Sequence, residues 1–150
     1  GGSLLDASFT VGALALSAGI TSLISGRYSD KVKENELIVV LGYAIVGIGF
    51  LLYLFCNSIL FLLVIQVIIG LGSAIFWPAF DAVYSKHLTK KREGRQWAAW
   101  ESISYLAEAT GAILGGIIVT ILGFNILFII MALLCFGSAA YILKLPRKLL

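Results

Sequence analysis

Five long apolar stretches alternate with short polar segments along this chain. They run about Leu5 to Ser25, Leu37 to Phe55, Ile59 to Asp81, Trp97 to Leu122 and Phe124 to Leu143. A helix needs roughly 20 apolar residues to cross a hydrocarbon core of ~30 Å, and each stretch is near or above that length. Lipid offers the backbone no hydrogen-bond partners, so a spanning segment must be a helix or part of a closed barrel. The ten-residue alternation of membrane strands is not seen here. Two of the links are minimal, Cys56-Asn57-Ser58 and Gly123 with its neighbours, and such short links force antiparallel neighbours. The pattern predicts an all-α, polytopic membrane helix bundle of about five transmembrane helices, a single membrane domain over residues 1–150.

Composition strengthens this reading. Of the 150 residues, 60% are hydrophobic and 13% charged, with a mean hydropathy of +1.01. An ordinary soluble domain carries about 25% charged residues. A pI near 9.0 raises the question of nucleic acid, but the position of the bases answers it. All eleven Lys and Arg fall into three segments: Arg27, Lys31 and Lys33; Lys86, Lys90, Lys91, Arg92 and Arg95; and Lys144, Arg147 and Lys148. In a five-span topology these segments share one side. Cytoplasmic loops of membrane proteins are enriched in bases, which predicts the N-terminus outside, the C-terminus inside and residence in the plasma (inner) membrane, with no nucleic-acid partner. Trp97 and Trp100 enter the fourth span at that interface. Gly1-Gly2-Ser3 reads as an internal cut or an added sequence rather than a natural start, and the only methionine is Met131, so the chain is expected to be a piece of something longer. A first span beginning outside without a signal predicts one further span upstream.

Small and polar residues form stripes at helical spacing. The first span carries Ser8, Gly12, Ala15, Gly19, Ser22 and Gly26; the third carries Gln66, Gly70, Ser73, Trp77 and Asp81; the fourth carries Glu101, Ser104, Glu108, Gly111 and Gly115. Small residues let membrane helices approach closely, whether for fixed packing or for the rocking of one bundle against another. Glu108 lies about ten residues into the fourth span, about 15 Å deep at 1.5 Å per residue. An ionised carboxylate there costs roughly 2.5–3.5 kcal/mol on insertion scales, so Glu108 is expected either to face a wet cavity or a partner base, where it binds a cation, carries a proton or contacts substrate, or to be a protonated or hydrogen-bonded packing residue. Glu101, nearer the interface, is expected to pair with loop bases. Gln66 is a substrate contact or an interhelical hydrogen bonder. Pro78 cannot donate to the carbonyl of Ala74 and is expected to kink the third span, as a static bend or a hinge. Cys56 and Cys135 read as packed thiols. His87 has no second histidine or cysteine near it in sequence, so neither a metal nor a cofactor is called for. The chain has no phosphate-binding loop, zinc-helix pattern or nucleophile elbow, which argues against an enzyme.

Three motifs together resemble the major facilitator superfamily of secondary transporters. That family's cytoplasmic loop has Gly, three residues, Asp, a base, one residue, Gly and further bases; here Gly26, Asp30 and Lys31 match, Lys33 replaces the second Gly, and Glu34 and Asn35 replace the trailing bases. Its fourth-helix pattern has Arg with Gly four and six residues on; here Gln66, Gly70 and Gly72 stand, so the Arg implicated in proton coupling is missing. Its antiporter-type Gly-Pro-x-x-Gly-Gly appears as Gly111-Ala112-Ile113-Leu114-Gly115-Gly116, with the Pro lost. The resemblance implies helices two to six of one six-helix half, the C-terminal half where these motifs decay. It implies alternating access by rocking halves, transport of a small solute whose identity is open, and the remaining half or a second copy as partner within the lipid bilayer. By the same resemblance Asp30, Lys31 and Arg27 form a cytoplasmic charge latch with Asp81, and Gln66, Ser73 and Trp77 join Glu108 along the substrate or ion path. Gly26, Pro78, Gly111, Gly115 and Gly116 serve packing or hinging. The alternative from the residues alone is a non-transporting membrane scaffold or assembly subunit.

Overall fold

The computed structural model describes residues 4–29 and 34–145. Five α-helices follow one another: α1 (Leu4–Ser29), α2 (Asn35–Leu52), α3 (Ile59–Lys86), α4 (Glu93–Leu122) and α5 (Phe124–Lys144), with a 3-10 turn, Tyr53–Phe55, closing α2. All five helices are long and apolar enough to cross a membrane, and the described residues contain no strand. The chain is an integral membrane protein. Helices extend past the apolar stretches at the basic end: α3 continues from Asp81 to Lys86, and α4 begins at Glu93 instead of Trp97. The helices thus continue through polar residues where hydropathy stops. α4, with 30 residues, is about 45 Å long, more than the hydrocarbon core requires.

The helix boundaries have local causes. Ser58 caps α3, its Oγ accepting the N–H of Phe61 at 3.2 Å. Gly123 reverses the chain between α4 and α5 in a single residue at φ 84°, a conformation open to glycine at no steric cost, while its N–H donates to the carbonyl of Val119 at 3.0 Å. At the other end of α4 the chain turns through Lys91, which also has a positive φ of 69°.

α3 is the centre of the bundle. It packs along α1 on one side and α2 on the other; α5 covers the far side of α2, and α4 has a short contact with α5. The basic ends of the helices converge: Glu36 and Val39 of α2, Phe80 and Val83 of α3, and Ile142 and Leu145 after α5 line one small cavity of about 190 Å³. Large apolar side chains such as Leu16, Leu23, Leu60 and Leu133 point outward, which suits lipid as the solvent.

Backbone contact through glycine holds the centre together. A Cβ on Gly42 would stand 2.8 Å from the carbonyl oxygen of Gly72 and 2.9 Å from the nitrogen of Phe76, and against the Phe76 Cβ. A Cβ on Gly72 would reciprocally lie 3.0 Å from the Gly42 carbonyl oxygen. On the opposite side of α3, a Cβ on Gly70 would meet the Leu14 carbonyl oxygen at 2.8 Å and Ser17 Oγ closer still. The buried side chains are correspondingly few and mostly small, with Ala74, Ala79, Ala132 and Ala139 beside Ile65, Ile69 and Val39. Association in lipid lacks a hydrophobic driving force and relies on such close van der Waals contact. Gly42→Ala is therefore expected to push α2 and α3 apart and to cost about 1–3 kcal/mol, as overpacked cores do. Gly137→Ala, where the added methyl meets nothing within 4 Å, is the matched control. Thermal unfolding in detergent should separate the two, with only the first lowering the midpoint.

Candidate functional site

The residues singled out from the sequence fall into two groups, one along α3 and one along α4. On α3, Gln66, Ser73 and Asp81 are half-buried and Trp77 is 46% exposed. Gln66 lies one turn ahead of Gly70, the point of closest approach to α1. Pro78 sits inside α3, and the helix continues beyond it to Lys86.

Trp77 belongs to a ladder of aromatic rings. Tyr43 of α2 stacks on Phe76 at 4.9 Å between centroids, and Phe76 lies 4.6 Å from Trp77. Trp77 meets the edge of Phe80 at 6.3 Å, and Phe80 meets Trp100 of α4 at 4.8 Å. Tyr84 closes the series against Trp97 at 4.9 Å and Trp100 at 5.7 Å. Aromatic pairs of this geometry each add about 0.5–1.5 kcal/mol beyond their buried area. The corner between α3 and α4 is further fixed by the Tyr84 hydroxyl, which donates to the Gln96 carbonyl at 2.8 Å, and by the Thr89 N–H, which donates to Gln96 Oε1 at 2.8 Å. Sequence reasoning singled out Trp77, Trp97 and Trp100 and passed over Tyr43, Phe76, Phe80 and Tyr84. The signal was present: Phe76, Phe80 and Tyr84 recur every fourth residue, which is one face of a helix.

His87 lies exposed beside this corner, its Nδ1 2.8 Å from the carbonyl oxygen of Val83, and the described residues hold no cluster of metal-ligating side chains.

α4 stands largely free. It has no buried residue, and among the described residues its ties are the turn at Gly123, a short contact with α5 and the aromatic corner. Glu108 sits exposed at the middle of this helix, and Glu101 is exposed nearer the basic end. Ser104 donates back to the carbonyl of Trp100 at 3.0 Å. Gly111 and Gly116 meet nothing within 4 Å of an added Cβ, and Gly115 meets only Leu127 Cδ1 at 3.8 Å. The same holds for Gly12, Gly19 and Gly26 of α1, which face open space among the described residues. Among the described residues these glycines do not join helices; Gly42, Gly47, Gly49, Gly70 and Gly72 do. α3 and α4 share no extended contact, so Glu108 is not brought together with Gln66 and Ser73. Of the latch residues, Asp30 and Lys31 lie outside the described residues. Arg27, in the last turn of α1, and Asp81, near the end of α3, occupy the basic end of two helices that pack together.

Comparison with known proteins shows the family of the chain. The family model described as Major Facilitator Superfamily matches residues 1–149. A protein named multi-drug resistance efflux pump PmrA homolog, from Lactococcus lactis subsp. lactis (strain IL1403), is 31% identical over 108 residues, which is 72% of this chain and 26% of that protein. The quinolone resistance protein NorB of Staphylococcus aureus is 26% identical over 136 residues, covering 85% of this chain and 29% of its own length. An uncharacterized MFS-type transporter of Methanocaldococcus jannaschii is 24% identical over 128 residues, covering 85% and 33% respectively. The chain thus spans between a quarter and a third of the curated relatives it matches. No solved structure matches it. With the match running over nearly its whole length and through all five of its spans, the chain belongs to the major facilitator superfamily, a family of transporters and not of enzymes.

Proposed function

We propose that this chain supplies five helices of one half of a secondary transporter that moves a small solute by alternating access. The observation that carries the reading is Glu108: a carboxylate at mid-span, exposed on a helix that the other described residues leave largely uncovered. An ionised carboxylate is costly in lipid, so water or protein must meet it. The open faces of α1 and α4 support a second body packed against them, either the remaining half of the transporter or a second copy. The chain's share of its relatives' length supports the same view. Bases gathered at one end support a cytoplasmic C-terminus and an outside N-terminus in the plasma membrane. Two of the relatives carry drug-resistance names, one of them naming an efflux pump, which supports outward export of a drug.

In this mechanism Glu108 carries the proton or cation that drives the cycle. Gln66, Ser73 and Trp77 on α3 contact the substrate, and Arg27 and Asp81, with Asp30 and Lys31, latch the cytoplasmic end in one of the two states.

Flux through the full-length protein in proteoliposomes tests this directly. With a panel of amphipathic drugs and an imposed proton gradient, native protein should show gradient-driven flux. Glu108→Gln should lower that flux about tenfold or more, the equivalent of roughly 1.4 kcal/mol of barrier. Gradient-driven flux unchanged in the variant would remove Glu108 from the path, and no flux from the native protein across the panel would favour the scaffold role. The latch has its own test. Asp81→Asn should shift the inward–outward balance, read from spin-label distances, by about fivefold, matching the ~1 kcal/mol upper range of a partly exposed ion pair. An unmoved balance would count against the latch.

A further inference from the structure

Pro78 interrupts the hydrogen-bond ladder of α3. Proline has no N–H, so the carbonyl of Ala74, four residues back, loses the donor an ordinary helix would give it. Ala74 is buried at 2% exposure, so water does not reach it readily, and an unsatisfied carbonyl inside a membrane span is costly. The structure supplies a donor from another helix. Ser25 Oγ of α1 donates to the Ala74 carbonyl oxygen at 2.5 Å.

Other hydroxyls of α1 bond within their own helix. Ser8 donates to Leu4, Thr10 to Ala7 and Ser17 to Leu14, at 3.0, 2.7 and 2.9 Å. Ser25 also has a carbonyl of its own helix within reach, that of Ser22, but at 3.4 Å that bond is long. The hydroxyl therefore has two acceptors, one at home and one across the interface, and it favours the one that Pro78 has left open. The approach is possible because Gly70, one turn before Ala74, lets the backbone of α1 close in at Leu14 and Ala18.

We propose that Ser25 is the positioning residue of a hinge in α3. Its hydroxyl stands in for the N–H that Pro78 lacks and ties α3 at Ala74, one turn before the break, to α1. Transfer of the hydroxyl to the Ser22 carbonyl releases that turn. Beyond the break α3 carries Phe80, Asp81 and Tyr84, and the rings of Phe80 and Tyr84 brace α4 through Trp97 and Trp100. A small rotation at residues 74–78 would thus move α4, and Glu108 with it, as a lever. The bond itself is independent of the transport reading; its use as a moving hinge rests on it.

The test is a double-mutant cycle in the full-length protein in lipid nanodiscs, since Pro78→Ala restores an N–H for Ala74 and makes the serine redundant. Ser25→Ala is expected to lower the unfolding midpoint by about 2 °C in the native background, in line with the small net worth of hydrogen bonds in membranes. Ser25→Thr, which keeps the hydroxyl, should retain the midpoint. In the Pro78→Ala background Ser25→Ala should have no effect. Spin labels at exposed Leu41 and Ser85 should report a broadened distance for Ser25→Ala and a single narrow one for Pro78→Ala. An equal loss from Ser25→Ala in both backgrounds would overturn the proposal and reduce Ser25 to packing. A cycle that holds while the distance stays narrow in Ser25→Ala would overturn the hinge. Neither readout needs a substrate, so failure of the transport reading would appear separately, as absent flux from protein that shows the full cycle.

Discussion

Lipid cannot hydrogen-bond the backbone, and lipid tails are as apolar as leucine. These two facts set what this chain can be. The first confines each span to a closed helix, with every interruption answered by some other donor or acceptor. The second removes the ordinary reason for helices to associate and leaves surface fit in its place. α3 meets both demands at once. It approaches α2 through Gly42 and Gly72 and α1 through Gly70, near enough for backbone atoms to touch what a Cβ would occupy. Remove that proximity and the Ser25 hydroxyl no longer reaches Ala74.

The same reasoning separates what the sequence displays from what it conceals. Five spans are visible because a stretch such as Phe124 to Leu143 has few alternatives in water. The shared side of the bases is visible because eleven residues of one charge sign crowd three segments. Helix ends are less visible: hydropathy drops at Asp81 and before Trp97, but hydrogen bonding continues to Lys86 and from Glu93. Glycine stripes are the harder case. Gly12, Gly19 and Gly26 have the spacing of a packing face, as Gly70 does with its neighbours, and no local property says which face a helix of this chain will cover. The answer depends on which helices become neighbours, a fact of topology. Ser25 was invisible for the same reason, since its partner lies 49 residues away on a helix whose adjacency had to be seen.

The uncovered faces also give the molecule its functional shape. α1 and α3 form one closely packed pair, extended through α2 to α5, while α4 is held towards its two ends and has no buried residue among the described ones. Among the described residues the ties of α4 are a glycine turn, a short contact with α5 and an aromatic corner. Its exposed stripe pairs small residues, which suit a close neighbour, with a carboxylate that lipid rejects. Packing alone accounts for the glycines; it leaves the cost of an ionised Glu108 unexplained unless water or an opposite charge comes to that face.

Whether water does so is the most direct question to put to the protein. With Cys56 and Cys135 replaced by serine and Glu108 by cysteine in the full-length protein, a membrane-impermeant thiol reagent applied to membranes reports the environment of that position. Reaction at a rate near that of a cysteine placed at exposed His87 would show that the middle of α4 lines an aqueous path, as this account requires. A cysteine that ignores the impermeant reagent from both sides and reacts only with a lipid-soluble maleimide would place the stripe against lipid and contradict it.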